Sequence, residues 1–221
     1  MTDRFGRGLR RGAVIFDCDG TLVDSEPLAR SAWERTLEPY GYALTDEDAE
    51  ATVGLPFPRT HAYYAERVEL PGVEEMWAAY SGRLFTLIDD ELVVFDDAVE
   101  AARELRARGV PVGVASSSPR ERLHRTLTRA GLVGAFDVTV AGDEVEHGKP
   151  APDMFLLTAE RLGVAPGVCV AVEDSAPGVQ AALAAGMHTI AVCRVPGTEA
   201  TLAAAHRVVD SLSADTILDA A

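Results

Sequence analysis

Short apolar runs that stop at a polar residue, each followed within a few positions by a helical stretch, recur through most of this chain and limit its fold more than any other feature. The first is Ala13-Val14-Ile15-Phe16, bounded by Gly12 and Asp17, the pattern of a short strand buried on both faces. Val110 to Ala115, Asp137 to Ala141, Val168 to Val172 and His188 to Val192 read the same way, with Val208-Val209 as a last short strand. Helical spacing covers Asp97 to Arg108, Arg120 to Ala130, Pro152 to Leu162 and Gly178 to Ala185, and each stretch closes on a glycine. Strands alternating with helices predict an α/β fold: a mainly parallel sheet covered by helices on both faces.

The alternation is interrupted once. Between Pro27 and about Glu91 only helical periods occur. Leu28, Ala32, Trp33, Leu37 and Tyr40 mark one helix up to Gly41, and Thr45-Asp46-Glu47-Asp48 opens a second as a capping box, which Gly54 ends. Pro56 and Pro58 punctuate a loop before a third helix from Arg59 to Val68, and Met76, Trp77, Tyr80, Leu84, Leu87 and Ile88 mark a fourth. The expected organisation is a core of residues 1–24 and 93–221 with an all-helical domain, 25–92, inserted after the first strand.

Acidic residues outnumber basic ones by 35 to 20, a formal net charge of −15, which argues against nucleic acid or an anionic membrane as partner. Asp46-Glu47-Asp48 and Asp89-Asp90-Glu91 read as solvated helix ends and loops. A phosphate site in such a chain must be made locally positive by a metal and a few chosen donors. Cys18, Cys169 and Cys193 lie in or beside apolar runs without zinc-type spacing, so buried reduced thiols are expected. Arg4, Arg7, Arg10 and Arg11 precede no signal-peptide core, and no apolar run approaches the length of a membrane span. A cytoplasmic location is the expectation, and no heptad seam suggests an obligate protein partner.

The polar residues that end these strands carry the chemistry. Asp17 and Asp19 stand two positions apart just past the first strand, where open α/β sheets place their ligands. Two acids there suit a hard divalent cation such as Mg²⁺, leaving one aspartate free to attack phosphorus and the other to move a proton; a plain Asp-Gly surface turn is the alternative. Ser116-Ser117-Ser118 before a helix offers hydroxyls and main-chain N–H groups to phosphate oxygens, or serves only as a helix cap. Lys149, in the stiff stretch His147-Gly148-Lys149-Pro150-Ala151-Pro152, reaches inward as a point charge or lies in solvent. Glu173-Asp174 either complete an oxygen-ligand metal site with Asp17 or serve as acids at a helix start. Their order, each at a separate strand end, favours one shared site.

Taken together, Asp17-Cys18-Asp19-Gly20-Thr21, Ser116, Lys149 before Pro-Ala-Pro-Asp, and Glu173-Asp174 within Val172-Glu173-Asp174-Ser175 resemble the four motifs of the haloacid dehalogenase superfamily. The branch is that of β-phosphoglucomutase and the sugar-phosphate phosphatases, and the likeness covers almost the whole chain. It implies a Rossmann-like core with a helical cap. By that resemblance Asp17 is the nucleophile and a Mg²⁺ ligand; Asp19 is general acid and then general base, with its main-chain carbonyl on the metal. Glu173 and Asp174 complete the metal shell. Thr21, Ser116, Ser117 and Lys149 contact the phosphorylated substrate, and Arg59 is the candidate contact from the cap.

The same core can release phosphate or return it to a sugar phosphate. Mutases of the branch carry a histidine after a Glu-Pro-Leu run, and this chain has Ala29 after Glu26-Pro27-Leu28. Arg59 also stands two residues later than the mutase arginine. Relatives commonly have Pro-Gly where this chain has Val94-Phe95-Asp96-Asp97, a departure expected to be without catalytic consequence. The expected activity is therefore Mg²⁺-dependent hydrolysis of a small phosphorylated metabolite, with a phosphoglucomutase-type isomerase as the alternative and a non-catalytic metabolite-binding regulator as a remote one. Trp33, Phe57, Tyr63 and Tyr64 are weighed as substrate contacts against helix packing, and packing is preferred. His61 and His147 are read as surface or supporting residues rather than ligands.

Overall fold

A computed structural model of the protein describes residues 12–52 and 55–219; Arg4, Arg7, Arg10, Arg11 and Gly54 lie outside them. The chain divides into two compact units, one formed by the segments ending at Asp24 and beginning at Val93, the other by Ser25–Leu92.

Strand β1 (Val14–Phe16) is wholly buried, as an all-apolar run with no outward face must be. It enters a tight loop in which Leu22 and Val23 donate their N–H groups to the Cys18 carbonyl at 2.9 and 3.1 Å. Gly20 turns this loop at φ +89°, a conformation open to glycine and strained for L side chains. Strand β2 (Val23–Asp24) follows.

The second unit contains α1 (Glu26–Leu37), α2 (Asp46–Thr52), α3 (Phe57–Ala65) and α4 (Val73–Glu91). Helix α1 packs along α4. Trp33 of α1 is the centre of this small core: its ring stacks on Phe57 (5.3 Å, 13° between planes) and meets Tyr64 at 5.0 Å and Tyr80 at 4.7 Å. Trp33, Tyr64 and Tyr80 are buried and contribute about 1.5–3 kcal/mol each by area, with about 0.5–1.5 kcal/mol more from ring pairing, while Phe57 is half-buried. Helix α3 begins at Phe57, two residues before the expected start, because Pro58 falls in the first turn where its missing N–H costs nothing.

The acid run at the start of α2 differs from expectation. Asp48 is 4% exposed and is no solvated helix end. Its carboxylate accepts from the Thr45 N–H (3.0 Å) and hydroxyl (2.7 Å), from Tyr42 (2.9 Å) and from Tyr63 (2.9 Å), while Thr45 Oγ1 accepts from the Asp48 N–H (3.1 Å). This is a capping box with two tyrosines added. Burial alone would raise the Asp48 carboxyl, but these donors, Thr45 foremost, bring it down to about 2. His61 is also buried, its Nε2 facing the Pro71 carbonyl at 2.8 Å, whereas His147 is exposed beside Asp153.

Returning to the first unit, β3 (Val93–Val94) pairs antiparallel with β2, Val23 opposite Val94. This two-residue ribbon is too short to show an alternation in the sequence. There follow α5 (Asp96–Ala107), β4 (Val112–Ala115), α6 (Arg120–Arg129), β5 (Val138–Val140), α7 (Asp153–Leu162), β6 (Val170–Glu173), α8 (Ala176–Ala184), β7 (His188–Val192), β8 (Arg207–Val209) and α9 (Ala214–Leu218). The six-stranded sheet has the order β5-β4-β1-β6-β7-β8, and every neighbouring pair is parallel. β1 is thus central, Phe16 level with Val114 on one side and Val172 on the other.

Ile15 and Ala171 of the central strands, with Ala13 and Cys169 just before those strands, form a core with Met154, Phe155 and Ala159 of α7 and Ala181 and Ala182 of α8. α7 lies so close that a Cβ at Gly113 would stand 2.7 Å from Thr158 Cγ2. The three cysteines are buried and free. No described helix is long and apolar enough to cross a membrane.

Candidate active site

Because β4, β1 and β6 are parallel neighbours in register, their carboxyl ends lie side by side. This is the switch point of the sheet, where β1 is followed on one side by β4 and on the other by β6. Asp17 continues the ladder by donating its N–H to the Val172 carbonyl at 2.9 Å. Ser116 leaves β4 with its N–H on the Val140 carbonyl at 3.0 Å. Glu173 is the last residue of β6. Lys149 comes from the loop between β5 and α7.

Lys149 binds the two buried acids together. Its Nζ pairs with Asp17 Oδ1, with Glu173 Oε1 at 2.5 Å and with the Ala115 carbonyl at 3.1 Å, and the side chain is 7% exposed. Burial would strip such an ammonium of its proton, but Asp17 and Glu173 outweigh it and hold the lysine charged. Glu173 is saturated at its other oxygen, which accepts from the N–H groups of Asp174 and Ser175 (both 3.0 Å) and from the Ser175 hydroxyl (2.9 Å). Gly178 in α8 makes room for it: a Cβ there would fall 1.8 Å from Glu173 Oε1.

Asp19 is held by α6 and the turn before it. Ser118 Oγ donates to Asp19 Oδ2 at 2.8 Å, Ser116 Oγ to the same oxygen at 3.2 Å, and Arg122 Nη2 to Oδ1 at 3.0 Å. Thr21 is fully buried, and its hydroxyl donates to Asp174 Oδ1 at 3.1 Å, so the structure places it on an acid rather than on an open face. Ser117 is exposed; its carbonyl abuts Gly142, where a Cβ would come within 2.3 Å. Arg59 lies exposed on α3 of the other unit.

Asp17, Glu173 and Asp174 each offer a carboxylate oxygen, and the three oxygens lie within 4.8 Å of one another. An all-oxygen donor set of this kind fits a hard cation such as Mg²⁺. The electrostatics agree. Burial pushes Asp17 well above the ordinary carboxylate range; Lys149 opposes this, and the neighbouring charges of Glu173, Asp174 and Asp19 add to it. A divalent cation would relieve that repulsion.

Two residues of this region, Arg122 and Arg194, escaped the sequence reading, and Ser118 was read there only as part of a phosphate cradle or cap. Ser118 and Arg122 hold Asp19. Arg194, just past β7, donates to the Thr21 carbonyl at 3.1 Å and to Asp97 at 2.9 Å, with its guanidinium 4.1 Å from the Phe95 ring centre. The only available signal was an arginine soon after a strand end or inside the first turn of a helix. Phe95 and Asp97 thus share Arg194 as a structural partner.

A parallel α/β sheet that presents two acids, a lysine and several hydroxyls at adjoining strand ends defines an enzyme with a carboxylate-centred site. A family model for haloacid dehalogenase-like hydrolases matches residues 12–186, and the chain belongs to that family. It is 35% identical over 179 residues to the phosphorylated carbohydrates phosphatase of Thermotoga maritima, covering 80% of this chain and 83% of that one. It is 36% identical over 189 residues to the fructose-1-phosphate phosphatase of Escherichia coli, covering 83% and 97%. Among solved structures, a protein of Thermotoga maritima described as a candidate β-phosphoglucomutase superposes with a TM-score of 0.76 at 32% identity, covering 94% of this chain and 97% of that one. The chain is a hydrolase of phosphoric monoesters.

Proposed function

We propose that this enzyme hydrolyses the phosphate ester of a small carbohydrate with Mg²⁺ as cofactor, through a phosphoryl group carried on Asp17. The observation that carries the reading is the pairing of roles at the end of β1. Asp17 is buried against Lys149, while Asp19, two residues on, is held by serines of the turn after β4 and by an arginine of α6. Two carboxylates in such different surroundings suit two different tasks.

In this scheme a carboxylate oxygen of Asp17 attacks phosphorus as the bond to the sugar oxygen breaks, and Asp19 gives that oxygen its proton. Asp19, now ionised, takes a proton from water as the water oxygen attacks phosphorus. The bond to Asp17 breaks, inorganic phosphate leaves, and both aspartates are restored. Lys149 and Ser116 face the transferring oxygens, where charge neutralisation and positioning supply most of the acceleration. Asp17, Asp174 and Glu173, with the main-chain carbonyl of Asp19, would hold Mg²⁺, which supplies neutralisation of phosphate charge when bound.

The carbohydrate substrate class rests on the named activities of the two phosphatases above. The likeness to that candidate β-phosphoglucomutase keeps an isomerase as the second reading, and Ala29 counts against it. Incubation with β-glucose 1-phosphate separates the two: free phosphate marks a hydrolase, while conversion to the 6-phosphate without net release would overturn the choice. Asp17→Asn is expected to lower phosphate release at least about 10⁴-fold while the circular dichroism spectrum stays unchanged. Retained turnover in that variant would remove Asp17 as nucleophile.

A further inference from the structure

Helix α6 opens with two arginines, Arg120 and Arg122, at the end where the macrodipole disfavours cations. Both are held from outside the helix. Arg120 donates to the Thr139 hydroxyl and carbonyl, both at 2.8 Å, and pairs with Glu144. Arg122 turns toward the active site and meets Asp19 Oδ1, the two side chains being 17% and 20% exposed.

The distribution of donors over that carboxylate is informative. Ser116 and Ser118 both bear on Oδ2, and the guanidinium bears on the other oxygen. Donors on both oxygens resist rotation of the carboxylate plane, and on the Oδ1 side one of them is the Arg122 Nη2 at 3.0 Å. Lys149 is committed to Asp17 and Glu173.

We propose that Arg122 is a positioning residue for Asp19: its guanidinium, carried on α6, helps set the orientation from which Asp19 delivers a proton to the leaving oxygen. The proposal rests on the reading of Asp19 as general acid given above. A misplacement of the order of 1 Å in such a group costs roughly 10²-fold in rate.

Two substrates separate this role from a merely structural one. Fructose 1-phosphate has an alkoxide leaving group that needs a proton, whereas p-nitrophenyl phosphate releases a stable anion that does not. For Arg122→Met, kcat/KM on fructose 1-phosphate is expected to fall about 10–100-fold, and on p-nitrophenyl phosphate no more than about threefold. Arg122→Lys keeps the charge but not the planar guanidinium or its reach, should show the same selective loss in weaker form, and carries the test if the methionine variant fails to fold. Asp19→Asn, run alongside, should show the selective loss at its largest. If Asp19→Asn shows it and neither Arg122 variant does, the positioning role is overturned while the acid assignment stands. Equal losses on both substrates, or a rise in KM alone, would also overturn it, since Arg122 would then be touching substrate. No selective loss in Asp19→Asn would bring down the acid assignment and this proposal together.

Discussion

Replacing Glu173 by glutamine tests how the buried cluster is wired. The side chain keeps its size, so it still fits the gap that Gly178 leaves, and only its hydrogen-bonding character changes. All the partners of Glu173 are donors: Lys149 Nζ on Oε1, and on Oε2 the N–H groups of Asp174 and Ser175 with the Ser175 hydroxyl. Glutamine has one acceptor oxygen and one donor NH₂, so one side must lose its acceptor. The best arrangement turns the oxygen to the two main-chain N–H groups and the NH₂ to Lys149. Ser175 gives little relief, because its oxygen already accepts from the Gly178 N–H at 3.2 Å. A hydrogen bond to a charged group is lost, about 1.5–3 kcal/mol, and a buried donor is left facing an ammonium, about 1–3 kcal/mol more. Relief of negative charge around Asp17 offsets part of this, giving an expected net loss of about 2–4 kcal/mol.

Urea unfolding followed by far-ultraviolet circular dichroism is the suitable assay. Both tryptophans, Trp33 and Trp77, belong to the Ser25–Leu92 unit, so their fluorescence would report the wrong part of the molecule. Turnover should fall with stability as Lys149 loses one of its two anionic anchors. A variant within about 0.5 kcal/mol of the parent would refute the donor accounting, since surface-type substitutions commonly stay in that range.

Gly20→Ala is expected to act on both backbone and site: φ is +89°, and the new Cβ would lie 2.0 Å from Asp174 Oδ2. Displacement of Asp174 should raise the Mg²⁺ concentration needed for half-maximal phosphate release at least about tenfold, and an unchanged requirement would detach Asp174 from the metal. In the helical unit, Asp48 is held at about 2 when folded against an ordinary value near 3.8. A depressed carboxyl contributes stability that is full above the unfolded pKa and fades as pH falls through the folded one. The thermal stability gap between the parent and Asp48→Asn should therefore be widest near pH 6 and shrink between about pH 4 and pH 2; a gap independent of pH would show that the carboxylate charge is not what matters.

The parallel sheet was readable because its strands are buried on both faces and so appear as continuous apolar runs, such as Val14 to Phe16 and Val170 to Val172. Strand ends were readable for the same reason: the first residue that cannot be buried uncompensated marks the rim. That is why Asp17, Ser116 and Glu173 could be picked out one by one. The ribbon of β2 and β3 could not, since two residues have no period and their pairing joins Val23 to Val94 and Asp24 to Val93, across the whole helical insert.

What the amino-acid order determined by itself was the set of elements and the chemical kind of residue at each strand end, because both follow from local burial and local turn geometry. Tertiary structure decided which donor meets which acceptor. Ser118 rather than Ser117 reaches Asp19, Thr21 turns inward to Asp174, and Asp48 is buried under two tyrosines although it sits in an acidic helix start. Such choices depend on the angle at which a side chain leaves one element relative to another brought beside it by the sheet or the bundle. That angle is a product of packing, and no stretch of sequence carries it alone.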